Sequence, residues 1–253
     1  MSIQNIKHCS FLLLFTLFFT STFHHTVFSQ TKDQVLNLMW QGVGGKQSWE
    51  EARYFMFSCK TDLHTFVSGE HSYIWDRVSG DCRFEGISDD QRKLVVLFNT
   101  KNRKGKAFVN NAVISVKDSA QMIIKPVIDA FFNDSFWLFF PNNLSNTATL
   151  QIRDQELIGN TRYYVIEVNT PTTTITEFRS KLFIDTNTGK IFQWQTTSKD
   201  GILQYNFLTS NFKDVGGGLT LATLFTDTNT GVSIRYPIVS AMINVESDKF
   251  TKP

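Results

Sequence analysis

Few residues in this chain could do chemistry, and their spacing is poor for it. Beyond residue 29 the only histidines are His64 and His71, seven positions apart across a turn containing Gly69. Folding could bring them together. A metal site or a general acid–base pair would also need Asp, Glu or Cys at ligand spacing, and none accompanies them in sequence. Both are therefore read as surface or core histidines. No HExxH, GxSxG, CxxC or P-loop pattern occurs. Asp89 and Asp90 fall in a turn and are read as solvated. The Gly42–Gly45 run, GVGG, superficially resembles a phosphate loop. It follows a helical pattern and precedes none, so it reads as a helix stop. The pentapeptide DTNTG occurs twice, at 185–189 and 227–231. Its oxygens could serve calcium, but neither copy has the downstream bidentate Glu that a full site requires, so both read as tight turns. Nucleophilic, metal-assisted and phosphoryl-transfer chemistry thus lack a local constellation. Only one assembled by folding stays open, and no catalytic residue, metal or cofactor is assigned.

Stepping outward to the elements, the first 29 residues read as a secretory leader. Lys7 precedes a short apolar block, Phe11–Phe19, which is too short to span a bilayer as a helix. Val27 and Ser29 fit a cut before Gln30; a cut after Thr22 is the alternative. No second long apolar run follows, so the remaining chain is expected to be soluble and exported to the periplasm or the exterior. The net charge of +2 is too balanced for a nucleic-acid or anionic-membrane partner. Cys59 and Cys82 would then sit in an oxidising compartment. In a simple meander, Cys59 ends one strand and Cys82 begins the second strand after it. That puts them at opposite ends of the sheet, and they are expected to stay unbridged.

The rest of the chain is mostly strand. Thr31–Val43 reads as a helix with Val35, Leu36, Met39, Trp40 and Val43 on one stripe. From Arg53 onward, aromatic and β-branched runs recur, separated by turn residues and, after Pro141, at intervals near 12 residues, up to a last run at Val232–Val245. Pro237 marks an edge or a bend in that run. This pattern argues for one large antiparallel sheet, curled or partly closed.

The stretch around which this sheet must be arranged is 118–141. Its first half is an amphipathic helix with Ala120, Ile123, Ile124, Val127, Ile128 and Phe131 at three- and four-residue spacing. Pro126 should kink that helix or split it. Asn133 and Asp134 break the period, and Ser135–Phe140 reads as a strand apolar on both faces. Of the 24 phenylalanines, eighteen lie beyond the leader, a heavy aromatic load. Ile124, Val127, Ile128, Phe131, Phe136, Leu138 and Phe140 are the candidate lining of an apolar, ligand-binding cavity between helix and sheet. A cavity-free core is the plain alternative.

The run Asn133–Leu144, NDSFWLFFPNNL, resembles the N-D-x-[YF]-W-L-x-x-P-x-x-L signature of an uncharacterised family of bacterial secreted proteins. Tyr163–Val168 and the hairpin Leu182–Trp194 support the likeness, as does the first helix ending in Gly44-Gly45 with Trp49 shortly after. That family is similar in fold to the periplasmic lipoprotein carriers, the LolA-like proteins. The resemblance implies a mainly β (α+β) fold: a strongly curved, unclosed antiparallel β-barrel with a few helices across its open face. It makes 30–253 a single half-barrel domain. It also implies a greasy cavity for acyl chains and no enzymatic residue. The expected function is non-enzymatic binding of a lipid, an acyl chain or a lipid-modified partner. A protein-binding module of the cell envelope using an open sheet edge is the alternative, and an enzyme on the same scaffold the third reading. Intact-mass measurement of protein from its native host should give a chain beginning at Gln30; a mass retaining residues 1–29 would refute the leader.

Overall fold

Alternation sets the architecture, and the strand Leu219–Asp227 shows how. Leu219, Leu221, Thr223, Phe225 and Asp227 are buried while the residues between them are half-exposed, the mark of a strand with one face on a core. The computed structural model describes residues 31–63, 69–88, 90–140, 150–170, 178–198 and 200–253. The leader and His64 lie outside them.

Among the described residues, fourteen strands join in one antiparallel sheet. They are β1 (Tyr54–Thr61), β2 (His71–Asp76), β3 (Asp81–Ile87), β4 (Lys93–Asn99), β5 (Gly105–Val109), β6 (Ala112–Val113), β7 (Leu150–Ile158), β8 (Thr161–Thr170), β9 (Phe178–Asp185), β10 (Ile191–Thr197), β11 (Leu203–Gly216), β12 (Leu219–Asp227), β13 (Ser233–Arg235) and β14 (Val239–Met242). The order runs β6-β5-β4-β3-β2-β1-β13-β12-β11-β10-β9-β8-β7, with β14 also on β1. The path ends in two edges, β6 and β7, so the sheet is an unclosed barrel. Strand β1 makes this possible by changing partners along its length. Tyr54–Phe57 pair with β14, and Lys60 and Thr61 pair with β13. The segment between β13 and β14 contains Pro237, which cannot donate to a ladder, and the last run is divided there as its proline foretold.

The two cysteines are free and buried. Cys59 lies opposite His71 on β2, whereas Cys82 lies opposite Trp75 at the other end of that strand. The intervening strand separates them, as the meander argument required.

Three α-helices accompany the sheet in the described residues: α1 (Lys32–Gly42), α2 (Lys46–Glu51) and α3 (Lys117–Leu138). A short helical turn, Ser247–Phe250, closes the fold. The glycine run does stop α1, with Gly45 N–H donating to the Trp40 carbonyl at 2.7 Å. It also precedes a helix, contrary to the sequence reading, because six residues are too few to show a period. The larger correction concerns 135–140. This segment is not a strand: α3 runs unbroken for 22 residues through Pro126, Asn133 and Asp134 to Leu138. Pro126 does not split it.

Both DTNTG copies are turns. Asp185 Oδ1 accepts the N–H groups of Asn187 and Thr188, and Asp227 Oδ2 accepts the backbone N–H and the hydroxyl of Thr230. Their last residues, Gly189 and Gly231, share nearly the same backbone, φ +71° and +75°. Their surroundings differ. A Cβ on Gly189 would fall 1.9 Å from the Leu38 carbonyl oxygen of α1, while one on Gly231 would meet nothing within 4 Å. Gly231→Ala should therefore cost only left-handed strain, about 1–2 kcal/mol. Gly189→Ala adds a backbone clash and should cost at least about 2 kcal/mol more. Urea denaturation of the two variants checks the difference, and equal losses would mean α1 does not rest on this turn.

Candidate functional site

The seven candidate lining residues all sit on α3 or just past its end, at helical rather than strand spacing. Ile124, Val127, Ile128 and Phe131 are buried along one stripe, where α3 crosses β4 and β5. Past Phe131 the helix turns different side chains to the two halves of the sheet. Towards β1 and β2, Phe139 packs against Phe55 (4.9 Å between ring centroids), Phe57, Trp49 and Trp75. Phe131 meets Phe57, Tyr73, Trp75 and Phe98 on the same side. Towards β9–β12, Phe136, Trp137 and Phe140 close on Trp194, with Phe140 nearest at 3.9 Å. Trp194 is fully buried and donates its Nε1–H to Ser180 Oγ at 3.0 Å, so its polar edge is satisfied within the core. These clusters account for much of the aromatic load.

Beneath the C-terminal end of α3 lies a cavity of about 30 Å³. It is lined by Leu138 and Phe140 with Trp137, Trp194, Val43 and Phe225 among others, and Thr209 is its one polar wall residue. Of the seven candidates, Leu138 and Phe140 reach it. Phe136 packs on Trp194 behind the wall; Ile124, Val127, Ile128 and Phe131 are buried further along the helix. The cavity is about a tenth or less of the ~300–1,000 Å³ usual for a ligand pocket.

The second feature of this region is polar, and the sequence reading missed it. Asp134 is 2% exposed, one turn before the cavity. Its Oδ2 lies 2.7 Å from His71 Nε2 and accepts the Tyr73 hydroxyl at 2.9 Å. The pair shares one hydrogen bond, which Nε2–H donates when Asp134 is ionised. The Asp134 backbone carbonyl accepts the Tyr236 hydroxyl at 2.6 Å. Cys59, opposite His71 on β1, completes the group: ligand atoms of Cys59, His71 and Asp134 all lie within 4.8 Å of one another. His71 is thus a core histidine whose Cys and Asp neighbours are brought to it by folding, not by sequence spacing. Register puts His71 and Tyr73 on the inner face of β2 with Cys59 beside them, and the helix supplies the carboxylate. A sequence signal did exist. Continuing the stripe Ile124, Val127, Phe131 by three and then four residues passes through Asp134 to Leu138, so the helix period places an acid on a buried face.

The electrostatics of this group do not favour catalysis. Burial, then the Asp134 carboxylate, pushes the Cys59 thiol well above its ordinary range. A nucleophilic cysteine needs the opposite shift. Burial does the same to Tyr73 and Tyr236, with Asp134 and Cys59 adding to it. None of the five residues lines the cavity. The group joins α3 to the sheet from within a solid core.

By sequence, no family model and no curated protein matches the chain. By structure, it is similar to a LolA superfamily protein from Nitrosomonas europaea, with a TM-score of 0.51 at 14% identity, over 88% of this chain and 99% of that one. A DUF1329 family protein from Desulfovibrio piger gives 0.44 at 10% identity, over 86% and 96%. The chain therefore has the LolA-like fold, as its motifs suggested. Among the described residues, no helix is long and apolar enough to cross a membrane.

Tyr236→Phe should remove one hydrogen bond and cost about 1 kcal/mol. Asp134→Ala leaves His71 and Tyr73 without their acceptor and should cost about 3–5 kcal/mol. Denaturant titration measures both, and a near-neutral Asp134→Ala would show that the network does not hold the helix.

Proposed function

We propose that this protein is exported, loses residues 1–29, and binds an acyl chain or other lipid tail between α3 and the sheet without acting as an enzyme. The observation that carries this reading is the cavity under Leu138 and Phe140, apolar on every side but Thr209. It lies between the end of α3 and the sheet, and a neighbour with this fold is a LolA superfamily protein by name; both support the reading. At about 30 Å³ the site holds roughly one water-sized group, so an acyl chain enters only as the end of α3 withdraws. The ligand then takes the place of Trp137, Leu138 and Phe140 against Trp194 and Phe225. Of the seven candidate residues, Leu138 and Phe140 meet the chain first and Phe136 borders it, while Ile124, Val127, Ile128 and Phe131 stay packed on the sheet and hold the rest of α3 in place.

Burying a chain of ~16 carbons at ~0.8 kcal/mol per methylene gives roughly 12 kcal/mol gross. Association costs of ~4–15 kcal/mol offset most of it. The product is a reversible carrier rather than a protein with a permanent lipid.

A second reading has its own observation. Strand β7 is nine residues long, mostly exposed, and sits at an edge of the sheet, where a partner strand from another envelope protein could add. Native mass spectrometry with a saturated fatty-acid series, paired with tryptophan quenching by brominated fatty acids, separates the two. A carrier gives one adduct per chain and saturable quenching, because Trp137 and Trp194 both wall the cavity. Phe140→Ala should strengthen binding several-fold by enlarging that space. No adduct and no saturable quenching would defeat the carrier reading and leave the edge strand.

A further inference from the structure

We propose that Cys59, His71 and Asp134 form a buried site for a divalent transition metal, with Zn²⁺ the best-fitting ion. This inference is independent of the acyl-chain reading and rests on the donor set. Thiolate, imidazole and carboxylate are the three ligand types that zinc takes from proteins. They come here from three separate elements: β1, β2 and α3. All their ligand atoms lie within 4.8 Å of one another, and His71 Nε2 is already 2.7 Å from Asp134 Oδ2. A tetrahedral zinc site with bonds of about 2.0–2.3 Å needs its ligand atoms roughly 3.3–3.8 Å apart. To reach that spacing, the His71–Asp134 pair at 2.7 Å must separate and any wider pair, up to 4.8 Å, must close.

Charge also fits. A dication bound by one thiolate and one carboxylate is neutral overall, the arrangement a buried ion requires. The protons balance as follows. The Cys59 thiol gives up its proton to solvent as the sulfur–metal bond forms. The His71 proton moves from Nε2 to Nδ1 as Nε2 takes up the metal. Tyr73 keeps its proton and continues to donate to the Asp134 carboxylate, orienting it as outer hydrogen bonds do in metal sites. The site stands apart from Cys82, which lies four residues along the ladder and one strand further. A metal here would clamp α3 to two adjacent strands.

Because the group is buried, the metal is added during refolding. The full chain is refolded from denaturant with one equivalent of Zn²⁺ or Co²⁺, gel-filtered, and its metal content measured. We expect one metal per chain, a Tm raised by about 5 °C or more over protein refolded with chelator, and a thiolate-to-cobalt charge-transfer band in the near ultraviolet. Cys59→Ser should abolish the band. The Cys9→Ser, Cys82→Ser double variant, in which Cys59 is the sole thiol, should keep it. Circular dichroism identifies which variants fold, and either folded variant assigns the sulfur ligand. Protein that retains no metal, or a band that survives Cys59→Ser or disappears from a folded double variant, overturns the proposal.

Discussion

A carboxylate inside an apolar core is the constraint on which this structure turns. Burying Asp134 without partners would cost far more than any single packing contact returns. The helix must therefore present it where His71, Tyr73 and Tyr236 can reach it. Those residues come from β2 and from the segment after β13, so satisfying one acid fixes α3 against distant parts of the chain. It also fixes the rotation of the helix. With Asp134 facing β2, Phe131 and Phe139 fall towards the Phe55–Phe57 cluster, and Trp137 and Phe140 fall towards Trp194. A rotation by one residue would expose part of this aromatic surface and leave the acid unpaired. Polar satisfaction here selects among packings that hydrophobicity alone leaves nearly equivalent.

This explains why the sheet was legible in the sequence and the site was not. The strands and their turns announce themselves locally. Residues 178–185 alternate, both DTNTG copies make the turns their composition demands, and Pro237 divides the last run. Even the free cysteines follow from counting strands. The segment 135–140 carries no such local mark. FWLFF suits a buried strand by propensity, and Asn-Asp before it looks like a break. Tertiary contacts override both: the acid finds partners 61 to 102 residues away, so it continues the helix instead of ending it. The resemblance to the lipoprotein carriers supplied the curvature and the helices across the open face, which periodicity cannot give. Of the candidate lining, the helix face of Ile124, Val127, Ile128 and Phe131 was readable; the helical placement of Phe136 and Leu138, and which residues stand at the cavity, were not, because both depend on where the helix ends.

The size of the cavity changes what binding means in such a fold. A preformed pocket offers a ligand surface that water covers poorly. Here Trp137, Leu138 and Phe140 already occupy that surface, so in the proposed carrier an incoming chain would exchange protein contacts for ligand contacts and gain only the difference. The part of α3 that must give way is short and terminal: Asp134 lies one turn before Leu138, and everything beyond it belongs to the plug. The proposed opening would release the last turn while the hydrogen bonds of Asp134 hold the rest in register. Such a lid would be anchored at the acid and would move only past it. Its opening would then cost a few aromatic contacts rather than the whole helix, a range that the proposed acyl-chain burial could offset.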